Sequence, residues 1–431
     1  MEHPQTDIDT AIVGGGLAGL TAACLLARAG RRVHVCEKSH AVGGRAGTEN
    51  KQGFHFNLGP HALYARGAGV EILREIGVKF SGGLVGASGA YAVAGGRKHA
   101  LPSGLLSLLT TSLLPLPAKL ELGRMMGAIH KVDPAQFRSI SVAAWLEQHL
   151  RHPDARRFMQ AFFRVCTYAN DPARQSAGSA LTQAQMSLRG SVWYLDSGWQ
   201  TLVDSLRVRA ESAGARIVTG ARVDNITRAA GGFQLHHGDG SLITAATVIL
   251  ATSPADACAV FEGGQNTTLA NWRDQAIPVH AACLDLALSR LPDQRAMFAL
   301  GIDQPLYLSV HSHTARLAPD NGAVIHVAKY LPGEKANLEQ AKATERELEQ
   351  LVDLIQPGWR NLVIERRFLP RMTVTHKLTT AAESGAAGRP GPAVSDVPGL
   401  FVAGDWAGQE GQLADASFAS ARQAAELILD K

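Results

Sequence analysis

This 431-residue chain has little that would cross-link it, charge it or anchor it. Its five cysteines, Cys24, Cys36, Cys166, Cys258 and Cys283, are odd in number and none is spaced as C-x-x-C. That excludes a disulfide framework and a zinc site, leads to no expected metal, and fits a reducing, cytoplasmic setting. There is no Lys/Arg run, and 42 basic against 38 acidic residues leave a net charge of only +4, so nucleic acid is excluded as a partner. Long hydrophobic runs are missing too. The most apolar stretch, 101–117, is interrupted by Pro102, Pro115 and Pro117. Its unbroken part is about a dozen residues where a spanning helix needs about 20, which excludes a transmembrane segment but leaves a peripheral membrane contact open. The polar, acidic start Met1–Asp7 argues against a secretory signal. Apolar residues at 46% and charged residues at 19% describe a globular chain, and the length allows two or three domains. Glycine is in surplus, with 44 residues, and its placement carries the argument.

Residues 9–13 (Asp-Thr-Ala-Ile-Val) read as a buried strand that runs into Gly14-Gly15-Gly16-Leu17-Ala18-Gly19. Residues 17–29 are small, apolar and helical and stop at Gly30; 32–36 form a second strand ending in Glu37. Strand, G-x-G-x-x-G, helix, strand and acid in this order form a dinucleotide-binding fingerprint. Gly14 permits the tight turn, Gly16 lets bare backbone approach a pyrophosphate, and Gly19 lets the helix pack on the strand. The helix N-terminus offers N–H groups and partial positive charge to phosphate, and Glu37 can accept from ribose hydroxyls.

After Glu37 comes Lys38-Ser39-His40-Ala41-Val42-Gly43-Gly44-Arg45. An acid-ended strand followed by Gly-Gly-Arg resembles the FAD-binding motif of the flavoenzyme superfamily that holds amine oxidases, protoporphyrinogen oxidase and phytoene-type desaturases. The resemblance implies FAD, with Ala18, Lys38, Gly44 and Arg45 around its phosphates and ribose. Gly59-Pro60-His61 matches the turn that the superfamily sets beside the flavin ring. His61 is either a polar group facing flavin or substrate or a loop anchor bonded to backbone. Gly198-Trp199-Gln200 resembles the segment returning to the FAD domain, and Val223 takes the place of the valine whose backbone meets adenine.

The C-terminus carries the second motif. Gly399–Asp405 is a strand ending in Gly404-Asp405, and residues from 411 open a final helix. In the superfamily this acid bonds ribitol or phosphate, and backbone N–H near Leu413 and Ala414 faces the flavin pyrimidine. The Gly-Asp-Trp ending is closer to squalene- and phytoene-type desaturases than to amine oxidases. The two aromatics that flank the flavin in amine oxidases are not matched: Gln412 stands at one position and 374–377 (Val-Thr-His-Lys) at the other. His61, His376 and Gln412 are therefore the candidate catalytic residues, with Lys377 and Asp415 beside them and Lys329 a candidate for holding a water at the flavin.

The expected fold is α/β: a Rossmann-type FAD domain from 1–80, 198–261 and 396–431, interleaved with an α+β substrate domain from 81–197 and 262–395. Leu105–Leu114 and Met125–Met126 either wall an apolar cavity or pack as ordinary helix core. The function implied is hydride removal from a lipophilic or natural-product small molecule to the flavin, which dioxygen, a quinone or another acceptor reoxidises. An amine-type oxidase is the alternative within the superfamily. A non-catalytic binder of the GDP-dissociation-inhibitor type, which shares the fold, is the alternative outside it. Oligomeric state is not readable.

Overall fold

The computed structural model describes residues 8–86, 88–333 and 337–430. The polar N-terminal stretch read against a secretory signal lies outside them.

Ile8–Val13 is buried over its last four positions, apolar at Ala11–Val13 and with the Thr10 hydroxyl bonded to that of Thr247, as a strand covered on both faces must be. It pairs in parallel with Val33–Glu37 on one side and Leu242–Leu250 on the other. Arg216–Thr219 extends the sheet beyond Val33–Glu37, and Leu400–Val402 pairs in parallel with Leu242–Leu250. The antiparallel strands Gly232–His237 and Val223–Ala229 complete seven strands. The helix Leu17–Arg28 is rich in alanine, so it lies close to its neighbours. Its buried Ala22, Ala23 and Leu26 share one core with Leu202 and Leu206 of Gln200–Ser212 and with Ala421 and Ala425 of Ala414–Leu429.

A second sheet of seven strands runs in the order Val363–Thr375, Val279–Leu288, Ala323–Leu331, Leu306–Val310, Phe298–Gly301, Ala90–Ala94, Arg97–Ala100. All its pairings are antiparallel except that of Phe298–Gly301 with Ala90–Ala94. The helix Leu338–Ile355 seats Leu348, Leu351, Val352 and Ile355 on one face of it. Four helices, Leu116–Ala128, Val142–His149, Pro153–Thr167 and Ala177–Gly190, share a separate core around Trp145, Phe163 and Leu181. The architecture is thus mixed α/β with one mainly parallel and one mainly antiparallel sheet.

Three stretches depart from what local pattern suggests. Over 62–80 the chain is helical only at Ala68–Ile76, because Leu63–Tyr64 pairs as a short strand with Val192–Trp193. The helix expected over Leu105–Leu114 stops at Thr110, where Thr111 turns extended ahead of Pro115. Ala177–Gly190 escaped the periodicity reading because its inward positions include Ser179, Gln183 and Gln185. The Gln185 amide donates to the carbonyls of Ile129 and Val132 instead of being solvated. Among the described residues no helix is long and apolar enough to cross a membrane.

Candidate active site

The carboxyl ends of the parallel strands converge on one cavity of about 910 Å³, lined by Val13, Glu37, Ala251 and Asp405 among others. Ligands of open α/β sheets bind at this edge, where the strands deliver short loops and helix N-termini to one place.

Gly14 and Gly16 both face the cavity, but for different reasons. Gly14 has φ +109°, and a Cβ there would sit 2.5 Å from the Ala251 carbonyl oxygen. Gly19 lies behind the wall, and a Cβ there would come within 1.9 Å of the Gly14 carbonyl oxygen, so it closes the helix onto the turn. A Cβ on Gly16 would meet nothing nearer than the Gly43 carbonyl oxygen at 4.0 Å. Packing within the fold therefore does not demand glycine at that position. Gly16 bridges to Gly43, which brings Gly44 and Arg45 to the same wall. Ala18 lines it from the first helical turn.

Glu37 is 8% exposed. One carboxylate oxygen accepts the Gly15 N–H at 2.7 Å and the other the Ser39 N–H at 2.8 Å. Each oxygen keeps a further lone pair for a ribose hydroxyl. Lys38 and Val223 line the same end; the Lys38 ammonium is exposed, 3.9 Å from Asp256. The ladder at Val223 is irregular as far as Asn225.

Two helices present N-termini without a side-chain cap. Leu17–Arg28 has Gly16 at its cap and no acid in its first turn. Ala414–Leu429 has Leu413 at its cap, held at φ +54° and ψ −127°, a costly conformation for a leucine. Leu413 and Ala414 both line the cavity. Gly404 and Asp405 line it opposite Arg45. An Arg45 guanidinium nitrogen donates to Asp405 at 2.6 Å and to the Val374 carbonyl at 2.9 Å. The Asp405 carboxyl also accepts from the His376 backbone N–H, at 3.3 Å to Oδ2, and lies 3.2 Å from its Nδ1. Burial alone would raise the Asp405 pKa, but Arg45 and His376 outweigh it and hold the carboxyl well below the usual range. Arg389 clamps the same loop from behind, donating to the carbonyls of Asp405, Glu410 and Gly411. Burial without a contacting carboxylate lowers its pKa to about 10, with Asp405 opposing the shift.

His61 lines the cavity and is also tied to backbone, so its two readings coexist. Nδ1 is 3.0 Å from the Gly59 carbonyl and Nε2 is 3.0 Å from the Arg45 carbonyl. Its ring meets Trp199 edge to face. Burial lowers its pKa below the ordinary value, with the two carbonyls opposing and His326 and Arg45 adding to the shift. Pro60 lines the wall; Gly59 does not, but packs beneath it at φ +76°, where a Cβ would strike Met372 and Cys283.

The structure places Gln412 away from the cavity. Its amide donates to the Ser179 carbonyl at 2.8 Å and its oxygen accepts from Thr379. Lys377 is buried in an ion pair with Glu383, and Lys329 pairs with Glu347; neither lines the cavity. The Asp415 carboxylate accepts the Gly69 N–H and so caps a helix other than its own. None of the leucines of 105–114 lines the cavity: Leu108 and Leu114 are core, while Leu105, Leu106 and Leu109 are exposed.

The far end of the cavity was invisible to motif reading. It is formed by Tyr168, Ala281, Cys283 and the stretch Leu369–Val374. Tyr168 follows the helix Pro153–Thr167 in the left-handed region at φ +58°. Residues 370–371 fall in a register shift opposite Ala281–Cys283, which lets that strand bend inward. Burial pushes the Cys283 thiol well above its usual value, which favours the protonated form. Among the described residues no group of three or more His, Cys, Asp or Glu could hold a metal ion.

The family described as flavin containing amine oxidoreductase matches residues 17–278, more than half of the chain. The chain belongs to that family. Its cofactor is FAD, and the donor set fits: bare glycine backbone, two open helix N-termini, a buried acid with lone pairs to spare and an arginine. Two relatives mark the family's breadth. A carotenoid 3,4-desaturase of Haloarcula japonica is 50% identical over 52 residues, 12% of this chain and 10% of that protein. A coproporphyrinogen III oxidase of Propionibacterium freudenreichii is 29% identical over 161 residues, 34% of this chain and 29% of that protein. The chain therefore spans under a third of either relative. A redesigned triple mutant of putrescine oxidase superposes with a TM-score of 0.76 at 16% identity, covering 98% of this chain and 99% of that one, which establishes the shared fold.

Proposed function

We propose that this protein is an FAD-dependent oxidoreductase that dehydrogenates or desaturates a carbon skeleton in a neutral, lipophilic small molecule. FAD, when bound, supplies the hydride acceptor at N5 and is reoxidised by dioxygen, a quinone or another acceptor. In this reading 1–80, 198–261 and 396–431 hold the cofactor, and 81–197 with 262–395 hold the substrate. Gly16, Gly44 and Arg45 take the pyrophosphate, Glu37 the ribose, and Val223 the adenine. Asp405 orients the ribityl chain, and Leu413 and Ala414 face the pyrimidine. His61 and His376 stand on the reacting side. His376 acts by holding Asp405 in place. Gln412 supports the loop before the final helix through Ser179 and touches no reactant.

The observation that carries the substrate class is the lining of the far end. Leu58, Ala281, Cys283, Leu369, Met372 and Val374 are apolar, and the charged side chain among the far-wall residues is the cation Arg371. The carboxylates that line the cavity are elsewhere or already paired: Glu37, Asp224 and Asp256 at the ribose end, and Asp405 with Arg45. Among the described residues, an ammonium substrate would find no carboxylate beside the reacting face. That disfavours the amine-oxidase alternative although putrescine oxidase shares the fold. It accords with the lipophilic substrate in the name of the carotenoid desaturase relative.

The test is an anaerobic titration of the purified yellow protein with partly saturated polyenes, alongside an amine panel. Bleaching of the flavin absorbance by the former, with no hydrogen peroxide from the latter in air, supports the proposal. Peroxide release with an amine replaces it by the amine-oxidase reading. A colourless protein that releases no flavin on denaturation removes both.

A further inference from the structure

We infer that the face built by the helices Leu105–Thr110 and Leu116–Ala128 is a docking surface for an anionic lipid bilayer. Leu105 is 74% exposed, Leu106 77%, Leu109 54%, Leu116 64% and Leu120 53%. Single exposed leucines are ordinary; five within sixteen consecutive residues form a patch that water alone does not explain. The patch is not an unfinished core. Leu108, Leu114, Ala118 and Leu122, between and below these residues, are buried, so the helices are already seated and turn their remaining leucines outward.

The charge around the patch decides the occupant. Between Arg97 and Lys131 the sequence contains one acid, Glu121, against Arg97, Lys98, Lys119, Arg124 and Lys131. Glu121 is half-buried and held by the backbone N–H groups of Arg151 and His152, and its single charge leaves the segment with an excess of positive charge. Arg97, Arg124 and Lys131 are exposed, and Lys98 is exposed beside Asp293, 4.0 Å away. The edge strand Arg97–Ala100 is fastened to the same segment, since His99 meets Ser112 at 2.8 Å and Thr111 donates to the Ala100 carbonyl. Lys119 lies along the patch with its ammonium on the Leu109 carbonyl, its stem covering apolar surface. Leucines that insert at the acyl boundary, ringed by cations at headgroup level, match a monotopic surface contact. A second copy is the poorer occupant, because a twofold contact through this face would set its basic rim near an equally basic rim. None of the five leucines lines the cavity, so the inference is independent of the substrate reading.

Co-sedimentation of the full-length flavoprotein with phosphatidylcholine vesicles, with and without phosphatidylglycerol, tests it. The native protein should pellet with the mixed vesicles, bind pure phosphatidylcholine weakly, and detach as salt rises. Leu105→Ser with Leu106→Ser should lower the partition coefficient by about tenfold or more while leaving flavin content and circular dichroism unchanged. Arg124→Glu with Lys131→Glu should lower binding to the anionic vesicles selectively. Absence of vesicle binding by the native protein overturns the inference, as does equal binding by the double-serine variant. So does a dimer in light scattering that the serine changes dissociate, which would assign the face to a second copy.

Discussion

Replacing Asp415 by Asn should make the protein more stable at alkaline pH and flatten its pH profile. Asp415 is 2% exposed, and its carboxyl lies against Gly67 and Gly69, where added Cβ atoms would fall within 3 Å of it, while Gly411 packs on its Cβ. Oδ1 accepts the Gly69 N–H at 2.8 Å, and Oδ2 is buried with no partner. Burial raises its pKa from 3.8 to about 7; Gly69 opposes the shift, and Glu410 and Glu71 add to it. The native state therefore holds a proton that the unfolded chain releases near pH 4. Stability is fully present below that value and is lost as pH rises to about 7. At about 1.4 kcal/mol per unit, some three units give on the order of 4 kcal/mol. Asn has the shape and donor of the protonated acid. If Asn matches the protonated acid at low pH, Asp415→Asn should lead by about 1–2 kcal/mol at pH 5 and by about 4 kcal/mol at pH 8. Urea unfolding followed by tryptophan fluorescence, on loaded and flavin-free protein, measures this. An equal gap at both pH values would refute the reasoning, because a pH-independent difference cannot come from this proton.

Gly16→Val should abolish flavin retention while leaving the unfolding midpoint of the flavin-free protein nearly unchanged, since the added side chain meets open cavity and not backbone. Gly19→Ala is its counterpart: with the Gly14 carbonyl oxygen 1.9 Å from the new Cβ, it should lower soluble yield and stability whether or not flavin is supplied. Glu37→Ala orphans the Gly15 and Ser39 N–H groups and removes the ribose acceptor, so dialysis should strip its flavin faster than that of Glu37→Gln, measured by absorbance. Arg389→Met leaves the Asp405, Glu410 and Gly411 carbonyls without their donor. Hydrogen exchange in 405–413 should rise, and the midpoint should fall by the equivalent of about 2–4 kcal/mol.

Cofactor chemistry and fold class were legible because they depend on short, local codes. A strand, a glycine turn, a helix and an acid within thirty residues leave little freedom for what their backbone can meet, and Gly14 to Glu37 lie together at one cavity as their spacing implies. The C-terminal Gly404-Asp405 reads in the same way. The strands Val279–Leu288 and Leu306–Val310 are legible in the same local way, since their mainly apolar runs suit strands covered on both faces. What escaped depends on partners distant in sequence. Asp415 resembles a cap for its own helix, yet it serves a helix about 350 residues earlier. Lys377 and Gln412 are polar groups beside the Gly-Asp motif, but Glu383 and the Ser179 carbonyl claim them first. Tyr168 reaches the cavity only because a left-handed residue ends its helix among Tyr307 and Tyr330. The sequence by itself determined where bare backbone and charge await a dinucleotide, since those features sit on contiguous residues. Only the tertiary structure decided which side chains remain to meet the substrate and which leucines stay on the surface, because each outcome is a competition among groups that folding brings together.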